Sequence, residues 1–101
     1  MGAPPFVAEA VDGRVALVGD VEAHEQEQLI EVLDESSHGF RHDLLVDLSA
    51  VTFLPSSIVG ALARAAAEAT RNGTSLVLGV VERTVPHRVL EVCKIPYRVL
   101  T

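Results

Sequence analysis

The 101-residue chain has one cysteine, Cys93, no tryptophan, one tyrosine and three phenylalanines. A lone cysteine forms no internal disulfide, so the fold must rest on a packed core, and nothing here requires an oxidising compartment. Basic residues are scarce too: eight Lys and Arg face fourteen Asp and Glu, for a net charge of -6 and a pI near 5.0. Nucleic-acid affinity rests on clustered Lys and Arg, so no nucleic-acid partner is expected, whereas a basic protein remains compatible. The longest strongly apolar run, Leu76 to Val81, falls far short of the roughly 20 residues of a spanning helix, and no membrane insertion is expected. The opening MGAPPFVAEAV lacks the basic and continuous apolar segments of a secretory signal, and Phe6 stands where a myristoylation signal has Ser or Thr. A cytoplasmic protein is the expectation.

Catalytic signatures are missing as well. Neither Ser56 nor Ser57 lies in G-x-S-x-G, and there is no Walker loop or G-x-G-x-x-G. His38 and His42 have helical ligand spacing, but Gly39 between them argues for a loop, so no metal site is expected. Cys93 has no C-x-x-C companion and reads as a packing thiol. No catalytic residue, cofactor or small-molecule substrate is expected.

What is present is a run of strand and helix patterns at the length of one domain. Residues 1–5 read as a tail and 6–101 as the domain. Phe6 to Val11 and Arg14 to Val18, joined by Asp12-Gly13, read as a hairpin. From Glu22 to Glu35 the chain is polar except for a stripe of Leu29, Ile30, Val32 and Leu33, which predicts a first helix ended by Ser36, Ser37, His38 and Gly39. Its acids, Glu22, Glu25, Glu27, Glu31, Asp34 and Glu35, read first as a solvated face and second as a docking face for a basic partner.

The stretch Leu44 to Gly60 organises the rest. Leu44, Leu45 and Val46 form an apolar run ending at Asp47, which suits a strand covered on both faces. Asp47 is a candidate ligand for a metal or phosphate, or equally a partner for loop backbone N–H groups. Pro55 biases Leu54 away from helical geometry, and Ser56 and Ser57 precede an alanine-rich helical pattern, so one serine is expected to cap a helix running from about Ser57 to Asn72. That helix places Arg64, Glu68 and Arg71 on one face and Val59, Leu62, Ala66 and Ala69 on the other, with Ile58 at the border and Gly60 outside. Ser75 to Val81 reads as an internal strand, Pro86 as the first turn of a third helix with Thr84 as its possible cap, and Tyr97 to Leu100 as an edge strand. Strands alternating with helices predict an α/β domain with a mixed sheet of about five strands and helices packed on it.

Three segments, in order, resemble the STAS family of bacterial anti-sigma factor antagonists and related domains of sulphate transporters. Gly19-Asp20-Val21-Glu22 is similar to the family's G-E-L-D. Asp47-Leu48-Ser49 with Val51 and Phe53 is similar to D-L-S-x-V-x-F, and Ser56-Ser57 with Val59-Gly60 to D-S-S-G-L-G. The resemblance implies a regulatory binding module, without enzymatic activity, whose partner is an anti-sigma factor that is also a serine-protein kinase. It implies phosphorylation at Ser56, with Ser57 as the alternative, and release of the partner once phosphate is added. The implied surface comprises Asp20, Asp47, Ser49, Thr52, Leu54, Pro55, Ser56, Ser57, Ile58 and Gly60. Pro55 replaces the family's Asp and removes a charge beside the serine; Ile58 replaces its Gly and adds a branched side chain. A STAS module that is not phosphorylated and holds its partner constitutively is the alternative.

Overall fold

In the computed structural model, which describes residues 6–11 and 13–100, strands β1 (Val7–Val11) and β2 (Arg14–Asp20) form the antiparallel hairpin. Its turn residue Asp12 and the 1–5 tail lie outside the described residues, but Gly13 takes a φ of 77°, the left-handed region that a tight hairpin turn demands. After a 3-10 turn (Ala23–Glu25) come α1 (Gln26–Ser36), β3 (Leu44–Phe53), α2 (Ser56–Arg71), β4 (Leu76–Val80), α3 (Val85–Cys93) and β5 (Arg98–Val99). The sheet order is β1-β2-β3-β4-β5, with every pair after the hairpin parallel. Since β2 to β5 advance across the sheet in one direction, right-handed crossovers leave the three helices on the same face. Val15, Leu17, Val46, Leu48, Leu78 and Val80 are buried, while the register pairs Val7 with Val18 and Val11 with Arg14, all four exposed, on the other face. This is the single α/β domain with a mixed five-stranded sheet that the alternation of patterns predicts.

Two local irregularities shape the site. Between Ala16 and Val18 of β2 the partner register on β3 advances from Asp47 to Ala50, and between Gly19 and Asp20 from Val51 to Phe53, so β3 carries an extra residue at each step. The first bulge leaves Leu48 buried and both Ser49 and Ala50 exposed, a break in alternation that makes the strand look finished at Asp47. The strand in fact continues to Phe53, past the apolar run that ends at Asp47, and only Leu54 and Pro55 separate it from α2.

The start of α2 also differs from the expectation. Pro55 is the N-cap, at φ -72° and ψ 161°, and its carbonyl accepts the N–H groups of Ile58 and Val59 at 3.0 and 3.1 Å. Both serines therefore sit inside the first turn, and no side chain caps the helix. Proline's fixed φ and the extended conformation of an N-cap are compatible, so the helix begins one residue earlier than serine capping suggests. Leu62 is fully buried, as expected, but the inner face also takes in Ala61, Ala65 and Ile58, because α2 packs against both the sheet and α1. Ile58 is wholly enclosed rather than at the border.

Gly39 ends α1 as the sequence predicts, with φ 74° and its N–H bonded to the Asp34 carbonyl at 2.8 Å. Thr84 is the N-cap of α3, yet its hydroxyl donates back to the Val81 carbonyl rather than capping the helix. Cys93, expected to be packed, is exposed at the end of α3, because Leu90 fills the inner position of that turn. No helix among the described residues is long and apolar enough to cross a membrane.

Candidate functional site

The parallel strands β2, β3 and β4 end together, so the three connections Val21–Glu22, Leu54–Pro55 and Val81–Thr84 start from one end of the sheet. Carboxyl ends of parallel strands are where α/β sheets present their sites, because loops and helix starts converge there. The bulges in β3 bring its end level with that of β2: Phe53 pairs with Asp20, and the Val21 N–H donates to the Phe53 carbonyl at 3.2 Å. The Thr52 hydroxyl donates to Asp20 Oδ1, a link between two exposed side chains.

Ser56 and Ser57 are exposed, and among the described residues neither hydroxyl makes a hydrogen bond. No base is therefore hydrogen-bonded to either one, the arrangement a serine nucleophile would use. Both hydroxyls are open to solvent in the first turn of α2, whose free N–H groups favour negative charge. Pro55 is half-buried and Gly60 half-buried, one turn along the same helix.

Four of the expected surface residues are placed elsewhere. Leu54 and Ile58 are buried and hold the turn from beneath, with no side chain at the surface. Asp47 lies in the body of β3, six positions before its end, and is buried. Its Oδ2 pairs with Arg14 Nη2 at 2.6 Å and its Oδ1 accepts the Ser49 N–H at 2.9 Å, the donor at the bulge. Burial pushes this carboxyl up, and the hydrogen bonds from Ser49 and from Arg14, with the Arg14 charge, pull it further down, leaving it below the usual aspartate range. Asp47 thus satisfies backbone, the second of its two readings, and Ser49, though exposed, lies within β3 two residues after it.

Sequence reasoning missed part of this end. Phe53 is 45% exposed, and Val81 and Val85, on either side of the exposed Glu82 and Arg83, are 39% and 48% exposed. An apolar residue on each side of a charged pair, between a buried strand and a proline-started helix, was the available signal. Glu25 also departs from the expected acidic face: it is fully buried, and one carboxylate oxygen accepts the Glu22 N–H in a capping box. His38 and His42 are exposed, as expected for loop histidines, and no cluster of three metal-ligating side chains occurs among the described residues.

The sequence matches the family described as "Mlab, STAS domain" over residues 6–95. The chain belongs to the STAS-domain family. A solved structure supports the same fold for this STAS domain: the crystal structure of a candidate anti-sigma factor antagonist from Thermotoga maritima superposes with a TM-score of 0.71. That protein is 18% identical, and the alignment covers 95% of this chain and 86% of the other. The segments Asp20, Thr52–Phe53 and Ser56–Gly60 of the STAS pattern are thus brought to one end of the sheet, while Asp47 serves the strand.

Proposed function

We propose that this STAS domain is a non-enzymatic anti-sigma factor antagonist of the cytoplasm, which binds a serine-kinase-type anti-sigma factor and lets go when Ser56 is phosphorylated. The observation that carries the reading is the pair of exposed, unengaged hydroxyls at the start of α2, beside the Asp20–Thr52 link and the apolar Phe53. The fold shared with the Thermotoga maritima protein supports it. In the step itself the partner moves the γ-phosphoryl of ATP to Ser56 Oγ. The bond from phosphorus to ADP breaks as the Oγ–P bond forms, and the hydroxyl proton passes to a base of the kinase.

The added group brings about two negative charges to a chain that already carries -6. Packing it against a partner would require its desolvation, so the complex is weakened while the domain stays folded. The burial of Ile58 supports the reading, because its branched side chain lies beneath the helix start and leaves the kinase's approach open. Pro55 favours the second reading, a module that binds constitutively, because it supplies no charge beside the serine.

Incubating the purified chain with kinase-type anti-sigma factors of the same genome and ATP, then locating phosphate by mass spectrometry, separates the two. Phosphate on Ser56 that disappears in Ser56→Ala supports the switch. Stable binding with no phosphate makes the domain a constitutive adaptor, and phosphate on Ser57 moves the site by one residue.

A further inference from the structure

Ser56, Gly60 and Arg64 follow one another at steps of four along α2, and side chains on a helix lean toward its N-terminus. Arg64 Nη1 lies 3.5 Å from the point that a Cβ on Gly60 would occupy, so its guanidinium has folded back over the turn that separates it from the serines. Glu68, one turn the other way, would be its ordinary partner, but Glu68 is paired with Arg71. Among the described residues Arg64 has neither an ion pair nor a side-chain hydrogen bond. An exposed cation thus lies unengaged above a residue without a side chain, on the stripe of the helix that also carries Ser56.

We propose that Arg64 is the internal counter-ion of a phosphoserine at position 56, with Gly60 as the floor across which the two groups meet. This rests on the reading of Ser56 as the modified residue. Side chains four apart on a helix have Cβ atoms about 5–6 Å apart, and the guanidinium already stands at the level of residue 60. The phosphoryl oxygens extend from Ser56 into that interval, where the planar fork of arginine can take two of them at once. Arg71 lies almost two turns further on and is occupied by Glu68. The phosphate laid across Gly60 then fills the gap through which a partner's backbone would approach. Release follows from occupied space as well as from charge, and a larger side chain at position 60 would displace the guanidinium from its present place.

The test uses the full chain with phosphoserine inserted during translation at position 56, and separately at 57, so that it needs no kinase. The pH titration of the phosphorus resonance reads the second ionisation of the phosphate, ordinarily near 6. In the otherwise wild-type chain this value is expected below that, and Arg64→Gln and Gly60→Leu should each raise it by about half a unit or more, as loss of a nearby opposite charge does. Arg71→Gln, the control, should leave it in place. A titration unmoved by Arg64→Gln, moved equally by Arg71→Gln, or dependent on Arg64 only when the phosphate is at 57, overturns the assignment. If no kinase modifies Ser56, the proposed switch fails while this titration still reports on Arg64, so the two failures are told apart.

Discussion

The hydroxyl of Thr52 donates a hydrogen bond to Oδ1 of Asp20, joining the ends of two neighbouring strands across 32 positions of sequence. Both side chains are exposed, so solvent screens the contact and its contribution to stability is small. A double-mutant cycle with Thr52→Ala and Asp20→Ala, followed by urea unfolding, should give a coupling of about 0.5–1 kcal/mol. Additive losses would mean that the two strand ends are held by backbone bonds alone.

Ser56→Ala should leave stability within about 0.5 kcal/mol of wild type, because the hydroxyl caps nothing; a serine that capped the helix would cost about 1 kcal/mol when removed. Ser56→Asp should also fold normally but bind the proposed anti-sigma partner at least about tenfold more weakly, a difference of about 1.4 kcal/mol. Thermal unfolding and titration calorimetry read the two effects separately. Binding of Ser56→Asp equal to wild type would sink the switch, and a large stability loss in Ser56→Ala would restore the serine as a cap.

The alternation of strand and helix patterns, the inward face of Leu62 and the role of Gly39 were legible in the sequence, because each depends on residues close together in the chain. The reach of β3 was not. A bulge resets the two-residue period, and the exposed pair Ser49 and Ala50 imitates the start of a loop. The expectation that one of the two serines caps α2 fails for a related reason: capping preference favours serine, but the conformation of Pro55 decides where the helix begins. Leu54, Ile58 and Asp47 are buried supports within or beside the STAS segments, and a motif does not distinguish a residue that touches a partner from one that holds the touching residue in place.

Ile58 shows how far such a support resists change. It replaces a glycine of the STAS pattern, yet it is fully enclosed, so restoring glycine would open a cavity and weaken the helix together. Ile58→Gly should cost about 3–5 kcal/mol, and Leu62→Ala about 2–5 kcal/mol, in urea unfolding. Gly60→Ala, on the same helix, should go the other way by about 0.5–1 kcal/mol, since an added methyl meets only Arg64 at ordinary contact distance. A stable Ile58→Gly would show that this turn is packed more loosely than its burial implies.

Asp47 predicts the acid behaviour of the domain. Its folded carboxyl lies below the ordinary range despite burial, because Ser49 and Arg14 hold the charged form. The unfolded chain therefore binds this proton more readily than the folded one. The stabilisation is complete above the usual aspartate value, near pH 4, and is lost as pH falls through the lower folded value. Asp47→Asn should cost about 1–2 kcal/mol at pH 7, the exposure of Arg14 limiting the loss, and should flatten the dependence on pH below about 4. Urea unfolding at pH 7 and at pH 3 measures both, and an unchanged slope would assign acid sensitivity to another carboxylate.

Phe53 tests whether the strand ends form the binding surface at all. Its ring is held on the bulged end of β3 with 45% of its surface open, so it has much to gain from a partner and little left to contribute to the core. Fully burying such a side chain yields about 1.5–3 kcal/mol, and aromatic residues at interfaces commonly dominate the binding energy. Phe53→Ala should therefore weaken the complex with the proposed anti-sigma partner by more than about 1 kcal/mol while destabilising the domain less than Leu62→Ala does. Calorimetric binding unchanged in Phe53→Ala would move the interface away from this end of the sheet, even if Ser56 were phosphorylated. Weaker binding in both Phe53→Ala and Ser56→Asp would place the apolar contact and the charge switch on one surface.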